Sequence, residues 1–230
     1  MPKPYKRGIA RSRPVFRFVV VGDGLCGKTS MLDVLKTSTF CQYYRPTVIE
    51  SRTAEIWVDD NLVDLVITDT SGQDENDKLR QTSYSGAHVA LLCYSVNDRN
   101  SLENVVDKWR SELTEHLTNV PVVLVGTKTD LRDEPSITRT PFMTRYVPVD
   151  SQEQWTVAER IGAAACVECS AFSADSVCGV FETATRVAML RKEAAQPKNY
   201  FQRLRSNLKK FFVVNFCCVQ RTAKYMRVNS

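Results

Sequence analysis

A glycine-rich stretch near the N-terminus has the residue types and the spacing that bind phosphate. Residues 22–29 read Gly-Asp-Gly-Leu-Cys-Gly-Lys-Thr, which fits the P-loop pattern G-x-x-x-x-G-K-[ST]. The glycines of such a loop let successive N–H groups turn inward around an anion, and the helix that follows adds partial positive charge. We expect Lys28 to reach the terminal phosphates and the Thr29 hydroxyl to hold Mg²⁺. A chance glycine-rich turn is the alternative, which the flanking strand and helix patterns disfavour.

A second group of polar residues, at 69–73, follows an apolar run that reads as a buried strand. Asp69 at the strand end suits a partner of Mg²⁺ that acts through water. Gly72 can bring its N–H close to a terminal phosphate because it has no side chain, and Gln73 can orient an attacking water. Alone, this D-x-x-G pattern is weak, since an aspartate at a strand end is more often a cap or a turn residue.

A third group, Thr127-Lys128-Thr129-Asp130, follows another apolar run. The Asp130 carboxylate can accept hydrogen bonds from both N1–H and the exocyclic amine of guanine, and adenine lacks that pair of donors. The stem of Lys128 can lie over the face of the base. Ser170 and Ala171, after a later run, place a backbone donor near the base. This group is also weak alone, so the order of all the groups carries the argument.

Hydrophobic patterning places each group directly after a strand. Strands are predicted at 15–21, 53–58, 62–68, 89–96, 120–125 and 165–168, the second and third as a hairpin. Helices are predicted at 30–36, 101–117 (with Ser101 as N-cap), 151–162 (with Ser151 opening a near capping box) and 175–192, and 69–85 reads as a loop. This alternation predicts an α/β fold, with a mostly parallel sheet and helices on both faces. Such sheets bind ligands beyond the carboxyl ends of their strands.

Charge divides the 230 residues into three parts. Residues 1–14 carry five Lys/Arg and no acid, and residues 191–230 carry ten Lys/Arg and one acid, whereas the middle is acidic. We therefore expect a basic flexible arm at 1–14, a domain at 15–192 and a basic tail at 193–230. Basic tails of this kind bind anionic membranes or nucleic acid, or stay solvated.

The eight cysteines show no zinc-type spacing, and several lie in apolar runs. They are typical of small buried side chains in a reducing compartment. The sequence shows neither the apolar segment of a signal peptide nor a run of the ~20 apolar residues that a transmembrane helix needs. We expect a cytoplasmic protein, or one held on the cytosolic face of a membrane.

In their order along the chain, these motifs resemble those of the Ras-like small GTPases, and specifically of the Rho family. The resemblance covers roughly residues 15–190 and is carried by five ordered stretches, 22–30, 44–48 (Tyr-Arg-Pro-Thr-Val), 69–80, 125–132 and 168–171. Residues 133–149 fall where Rho proteins carry an extra helix, although Pro141 counts against a regular helix there.

The resemblance implies a P-loop NTPase fold, a monomeric small G domain with a six-stranded sheet. It also implies GTP, GDP and Mg²⁺ as ligands, and slow GTP hydrolysis unless an activating protein assists. Partners would be exchange factors, activating proteins and effectors in cytoskeletal or membrane signalling, with no nucleic acid.

The resemblance also assigns roles to single residues. Thr47 would close on Mg²⁺ and the γ-phosphate, Tyr44 would lie over the phosphates, and Phe40 would pack against the guanine or simply anchor the core. Residues 38–50 and 71–83 would form the two switches. Nucleotide contacts are implied for Asp23, Gly24, Leu25, Cys26, Gly27, Lys28, Thr29, Ser30, Phe40, Tyr44, Thr47, Gly72, Thr127, Lys128, Asp130, Ser170 and Ala171. Metal contacts are implied for Thr29, Thr47 and, through water, Asp69, and catalytic roles for Gln73, Lys28 and Gly72.

The chain departs from the Rho pattern at several positions. Residues 49–52 read Ile-Glu-Ser-Arg where two aromatic effector anchors are usual, Ser71 replaces an alanine, and Leu25 is larger than the usual residue. The C-terminus, Arg-Val-Asn-Ser, is not a prenylation box. Apolar residues at 201–212 instead predict a basic amphipathic helix beside Cys217 and Cys218, which are candidates for S-palmitoylation, as in the atypical palmitoylated Rho subgroup. The same periodicity would also suit a continuation of the last helix packed on the domain.

Two functions remain open at this point. Gly24 and Gln73 indicate a switch that hydrolyses GTP. Leu25, Ser71 and the altered run at 49–52 would instead suit a GTP-loaded binding module that hardly hydrolyses and is regulated by abundance or lipidation. A P-loop ATPase or kinase is disfavoured by Asp130.

Overall fold

A single six-stranded sheet forms the centre of the protein. The computed structural model describes residues 13–40, 47–132 and 148–195. The strands are β1 (Val15–Gly22), β2 (Ile49–Val58), β3 (Asn61–Thr70), β4 (Val89–Ser95), β5 (Val122–Thr127) and β6 (Ala165–Glu168). Their order is β2-β3-β1-β4-β5-β6, and only the β2–β3 hairpin is antiparallel. The predicted mostly parallel α/β sheet is confirmed.

Helices cover both faces of this sheet. They are α1 (Lys28–Thr37), α2 (Asp77–Thr82), α3 (Arg99–Asn104), α4 (Arg110–His116), α5 (Ser151–Ile161) and α6 (Ala174–Ala195). Short 3₁₀ turns lie at Asp74–Asn76 and Thr129–Arg132. One apolar cluster packs α1 and α6 on one face, and a second packs α3, α4 and α5 on the other. Every residue of β4 and β5 is therefore buried, which explains their continuous apolar runs.

The helix predicted at 101–117 is found, but it starts earlier and is not uniform. It begins at Arg99, and a π-helical turn, Val105–Trp109, joins α3 to α4. The prediction of Ser101 as its N-cap was wrong, because the Asp98 side chain accepts the N–H of Asn100 at 3.1 Å. Ser101 is buried one turn later, where its Oγ accepts the N–H of Ser95 at 3.0 Å.

Two further boundaries differ from the predictions. The cap of α5 is Asp150, whose carboxylate accepts the N–H of Glu153 at 2.8 Å, while the Glu153 carboxylate accepts the N–H of Asp150 at 3.1 Å. The loop predicted at 69–85 was wrong, since β3 runs to Thr70 and α2 follows at 77–82. A helix of six residues is too short to show a helical period, and the buried residue it contributes is a charged one, Arg80.

Several predictions concern segments outside the described residues. These are most of the basic arm at 1–14, Tyr44, the insert at 133–147, and the tail beyond 195 with Cys217 and Cys218. Among the helices that are described, none has the length and the apolar character to cross a membrane.

Candidate functional site

The carboxyl ends of β1, β3 and β5 bring the predicted motifs together at one edge of the sheet. A cleft opens there between the P-loop, Thr47, the turn after β3 and the loop after β5. It is lined by Gly24, Leu25, Gly27, Lys28, Thr29, Ser30, Thr47, Thr70, Ser71, Gly72, Gln73 and Lys128. Motifs up to 100 residues apart in the sequence therefore share one surface.

The side-chain ammonium of Lys28 is buried within the P-loop, at the N-terminus of α1. Gly27 caps the helix with a φ of 94°, a conformation that side chains disfavour. Lys28 is 6% exposed, and its Nζ donates to the carbonyl oxygens of Gly22 and Asp23 at 2.8 and 2.7 Å. Both of these acceptors are neutral groups. A buried cation that is held by neutral acceptors favours a bound anion.

The side chain of Asp23 anchors the P-loop from behind. Its Oδ1 accepts the indole N–H of Trp109 at 2.7 Å, and its Oδ2 accepts Nδ2 of Asn104 at 2.7 Å. Both carboxylate oxygens therefore face α3 and the π-helical turn, and the predicted nucleotide contact of Asp23 can come only from its main chain. Sequence patterns did not reveal this anchor, because its partners lie 81 and 86 residues away.

Two hydroxyl groups and one carboxylate lie together beside Lys28, in an arrangement that fits Mg²⁺. Thr29 Oγ1 lies 2.9 Å from Thr47 Oγ1 and donates to Asp69 Oδ2 at 2.7 Å. Neighbouring ligands of an octahedral Mg²⁺, each about 2.0–2.1 Å from the metal, are about 2.9 Å apart. The two threonine hydroxyls thus already have the separation that one Mg²⁺ would require of them.

Asp69 supports the same interpretation. It is fully buried, and within the described part of the chain its Oδ1 has no hydrogen-bond partner. Burial raises the pKa of Asp69, although the bond from Thr29 and the charge of Lys28 oppose this. A buried carboxylate with an open oxygen is costly unless a water or a cation satisfies it, as the predicted water-mediated contact to Mg²⁺ would. We conclude that the residues present fit this metal.

The turn after β3 lies directly against the P-loop. A Cβ on Gly72 would come within 2.2 Å of the Gly24 nitrogen and 2.3 Å of the Asp23 carbonyl carbon, so only glycine fits there. By contrast, a Cβ on Gly24 would meet no described atom within 4 Å. Any crowding by a side chain at Gly24 would therefore involve a bound ligand. Gln73, the next residue in the turn, is exposed at the rim of the cleft.

The loop after β5 is tied to both the P-loop and the loop after β6. The Thr127 hydroxyl donates to the carbonyl oxygen of Cys26. Lys128 adopts a φ of 59°, and its Cε lies 3.7 Å from where a Cβ on Gly27 would be. The Ser170 hydroxyl donates to Asp130 Oδ1. The predicted base-binding residues are therefore adjacent, and Ser170 has a role that was not predicted, which is to orient the Asp130 carboxylate.

An aromatic pair stands next to these base-site residues. Phe40 and Phe172 have ring centroids 4.4 Å apart, and Phe172 is 67% exposed. Phe40 and Ala171 also pack against the core cluster of α1 and α6, so the anchoring role considered for Phe40 is present. Sequence analysis did not predict Phe172, although its position directly after Ser170 and Ala171 was a usable signal.

A buried arginine connects α2, α4 and the turn after β3. Arg80 is fully buried, and its Nε and Nη2 donate to the two carboxylate oxygens of Glu112 at 2.8 and 2.7 Å. Its Nη1 donates to the carbonyl oxygen of Ser71 at 3.0 Å, and its guanidinium lies 4.7 Å from the centroid of the Trp109 ring. Burial alone would raise the pKa of Glu112, but hydrogen bonds from Arg80 and Tyr84 lower it. The ion pair therefore stays charged.

The cysteines near the site behave as buried apolar side chains. Cys26, Cys93 and Cys169 are free thiols and buried. Burial raises the pKa of Cys26 and Cys93, and that of Cys169 to about 12, so these thiols are neutral at pH 7. In the described ranges, no group of three or more His, Cys, Asp or Glu side chains could hold a metal.

Comparison with known proteins gives matches over the same region. Residues 17–190 match the profile of the Ras family. The GTP-binding protein RHO1 of Candida albicans is 44% identical over 182 residues, which cover 79% of this chain and 92% of that protein. The GTP-binding protein rho1 of Schizosaccharomyces pombe is 44% identical over 175 residues, 76% of this chain and 87% of the relative. RHO1 of Saccharomyces cerevisiae is 42% identical over 182 residues, 79% of this chain and 87% of the relative.

Proposed function

This chain belongs to the Rho family of Ras-like small GTPases, and we propose that it is a switch whose two loops change state when bound GTP is hydrolysed. Proteins of this family bind GTP and GDP with Mg²⁺ and hydrolyse GTP to GDP and phosphate. The observation that carries the proposal is the meeting of Thr47 with Thr29 and Asp69. It joins one switch segment to the P-loop at the point where the γ-phosphate and its metal would bind.

In this proposal the P-loop N–H groups and Lys28 bind the phosphates. Thr29 and Thr47 hold Mg²⁺, with Asp69 acting through a water. The bound ion would neutralise charge between the β- and γ-phosphates. Thr47 would contact the metal while a γ-phosphate completes the site, and its segment would be released after hydrolysis.

Hydrolysis requires a water in line with the bond between the γ-phosphorus and the β–γ bridging oxygen. Gln73 orients this water, whose oxygen forms a bond to the γ-phosphorus while the bond to the β–γ bridging oxygen breaks. GDP leaves with that electron pair, and the proton of the water passes to the released phosphate. Gly72 contributes an N–H to the γ-phosphate. No arginine lines the cleft among the described residues, so unaided turnover is slow. An activating protein that supplies one in trans would accelerate it by about 10³–10⁵-fold.

Guanine is selected by the Asp130 carboxylate, which accepts hydrogen bonds from N1–H and the exocyclic amine. The Ser170 hydroxyl donates to the same carboxylate and so helps to orient it. Lys128 and Phe40 cover the base. The expected result is that GTP, and not ATP, displaces bound GDP.

Regulators and effectors are proposed to dock on the segment after Thr47 and on α2. Val48 and Leu79 are 51% and 53% exposed there, and both belong to the predicted switches. Exchange factors, activating proteins and effectors in cytoskeletal or membrane signalling are the expected partner classes.

The basic tail is proposed to hold the protein on the cytosolic face of a membrane through acylated Cys217 or Cys218, each nearby Lys/Arg adding about 1 kcal/mol on an anionic leaflet. Changing both cysteines to serine should move the protein to the soluble fraction of a cell lysate. Unchanged membrane fractionation of this double variant would contradict acylation as the anchor.

The switch is tested by measuring hydrolysis and nucleotide release side by side on the full chain. We expect slow single-turnover hydrolysis of preloaded GTP, at least about tenfold slower in Gln73→Leu, and similar GDP dissociation in both proteins. Gln81→Leu in α2 is the matched control and should resemble the parent. Equal hydrolysis by the parent and Gln73→Leu would refute the role of Gln73. Negligible hydrolysis by the parent would favour the GTP-loaded binding module.

A further inference from the structure

We infer that Ser71 is a positioning residue for Gln73 and that Asn76 acts with it; this inference rests on the role proposed above for Gln73. Ser71 is 3% exposed and lies between β3 and the 3₁₀ turn at Asp74–Asn76. Its hydroxyl is a departure from the alanine expected in the Rho pattern. The structure gives that hydroxyl defined partners.

Ser71 links the two switch segments through its N–H, and its other polar groups bond within its own segment. Its N–H donates to the carbonyl oxygen of Val48 at 2.9 Å, and its own carbonyl accepts Nη1 of Arg80 at 3.0 Å. Its Oγ accepts the N–H of Gln73 and the side-chain Nδ2 of Asn76, each at 3.1 Å. The segment after Thr47, the P-loop-facing turn and α2 are therefore joined at one residue.

The main chain of Gln73 is held on both sides by these contacts. Its N–H points to the Ser71 hydroxyl, while its carbonyl accepts the N–H of Asn76 at 3.2 Å and Nη1 of Arg80 at 3.3 Å. A local serine-to-backbone bond of this type fixes the turn that it closes. An alanine at position 71 would keep the contacts of the main chain but remove the acceptor shared by Gln73 and Asn76.

Fixing the main chain of Gln73 limits where its side chain can reach. That side chain lies at the rim of the cleft, where it would meet the attacking water. Small displacements of a positioning group cost much of its contribution to a reaction rate. The Ser71 hydroxyl and the Asn76 amide therefore keep Gln73 in reach of the water while leaving nucleotide affinity to the P-loop.

The test measures single-turnover hydrolysis of preloaded GTP and dissociation of GDP by the full chain. Ser71→Ala and Asn76→Ala, which removes the side-chain amide, should each hydrolyse GTP about two- to tenfold more slowly, as expected for loss of one neutral hydrogen bond. GDP dissociation should change less than about twofold. In a Gln73→Leu background neither change should slow hydrolysis further, because both act through Gln73. Asn61→Ala, at the start of β3, is the matched control and should behave as the parent.

Parental hydrolysis rates in both Ser71→Ala and Asn76→Ala, with Gln73→Leu slow, would overturn this inference and leave the proposed function standing. The inference would also fail if Ser71→Ala slowed hydrolysis equally in the parent and Gln73→Leu backgrounds, because the effect would then bypass Gln73. If Gln73→Leu hydrolysed GTP at the parental rate, the role of Gln73 in the proposed function would be wrong. Asn76→Ala decides the matter if Ser71→Ala lowers the melting temperature too far to be assayed.

Discussion

At the scale of single residues, the site is built from charges that the fold buries before any ligand binds. Lys28 is held by neutral carbonyl oxygens, and Asp69 keeps one carboxylate oxygen without a partner in the described chain. Each group alone would cost free energy in the interior. Together they favour a nucleotide phosphate and its metal, so we expect binding of these ligands to stabilise the folded protein.

Replacing Asp130 by asparagine should change which base the site accepts. An amide offers one donor and one acceptor, whereas guanine presents two donors to the carboxylate, so GDP should bind at least about tenfold more weakly. Xanthine carries an oxygen in place of the exocyclic amine, so XDP should bind more tightly to Asp130→Asn than to the parent. Competitive displacement of a labelled nucleotide by GDP and XDP measures this, with Asp60→Asn in the β2–β3 turn as control. An Asp130→Asn protein that kept the parental preference for GDP would contradict the assignment of Asp130.

Whether these residues could be predicted depends on how close in sequence their interacting partners are. The P-loop, Asp69 and Asp130 were predicted because each motif lies at the carboxyl end of a strand, and parallel strands end at one edge. The Asp23 anchor, the Arg80–Glu112 pair and Phe172 were missed, because each depends on contacts between distant segments. Ser71 was noted as a departure, but only the fold shows that its hydroxyl faces Gln73 and Asn76.

At the scale of helices and strands, the connection between α2 and α4 depends on a buried ion pair. The Arg80 side chain is 0% exposed and that of Glu112 is 10% exposed. The helices were predicted unevenly for the same reason. Apolar residues recur at a helical spacing from Leu102 in α3 to Leu113 in α4, whereas α2 is attached through a charge that hydrophobic patterning cannot detect. Removing one partner of such a pair leaves the other buried and unpaired.

Glu112→Ala should therefore lower the free energy of unfolding by about 3 kcal/mol. Urea unfolding at fixed GDP and Mg²⁺ concentrations measures it, since both ligands stabilise the folded state. Arg186→Gln removes a more exposed arginine from its contacts with Asp59 and Glu182 and should cost less than about 1 kcal/mol. Equal losses in the two variants would show that burial does not set the strength of the Arg80–Glu112 pair.

His88 makes the junction of β1 and β4 sensitive to acid. Its Nδ1 accepts the N–H of Arg17 at 2.9 Å, and partial desolvation, with the charges of Arg17 and Lys192, lowers the pKa of His88. The folded protein thus binds this proton less readily than the unfolded chain. The contribution to stability is complete above about pH 6.5, the unfolded pKa, and is lost as the pH falls from there through the lower folded pKa.

His88→Gln keeps an acceptor but cannot gain a proton. Between pH 7.5 and pH 5.5, its melting temperature should therefore fall less than that of the parent. His116→Gln, at an exposed site, should lose as much as the parent. The comparison uses thermal unfolding of GDP-bound protein at the two pH values. If His88→Gln lost as much as the parent, protonation at this junction would not be the cause.

At the scale of the whole molecule, a buried sheet carries the proposed switch segments at its edge. The central strands β4 and β5 are buried along their full length, whereas Thr47, Ser71 and Gln73 stand on connections at the sheet edge. Sequence patterns predicted this division, because buried strands read as apolar runs and switch connections as polar ones. The contacts that join the two switch segments, such as Ser71 N–H to Val48 O at 2.9 Å, required the structure.

The most direct test of the switch is hydrogen exchange of the full chain, compared between a non-hydrolysable GTP analogue and GDP, each with Mg²⁺. We predict slower exchange with the GTP analogue at residues 47–50 and 71–82, because the γ-phosphate and its metal hold Thr47 and the turn of Gln73. Amides of β4 and β5 should exchange equally in the two states and serve as the internal control. Identical exchange at 47–50 and 71–82 in both states would contradict the account.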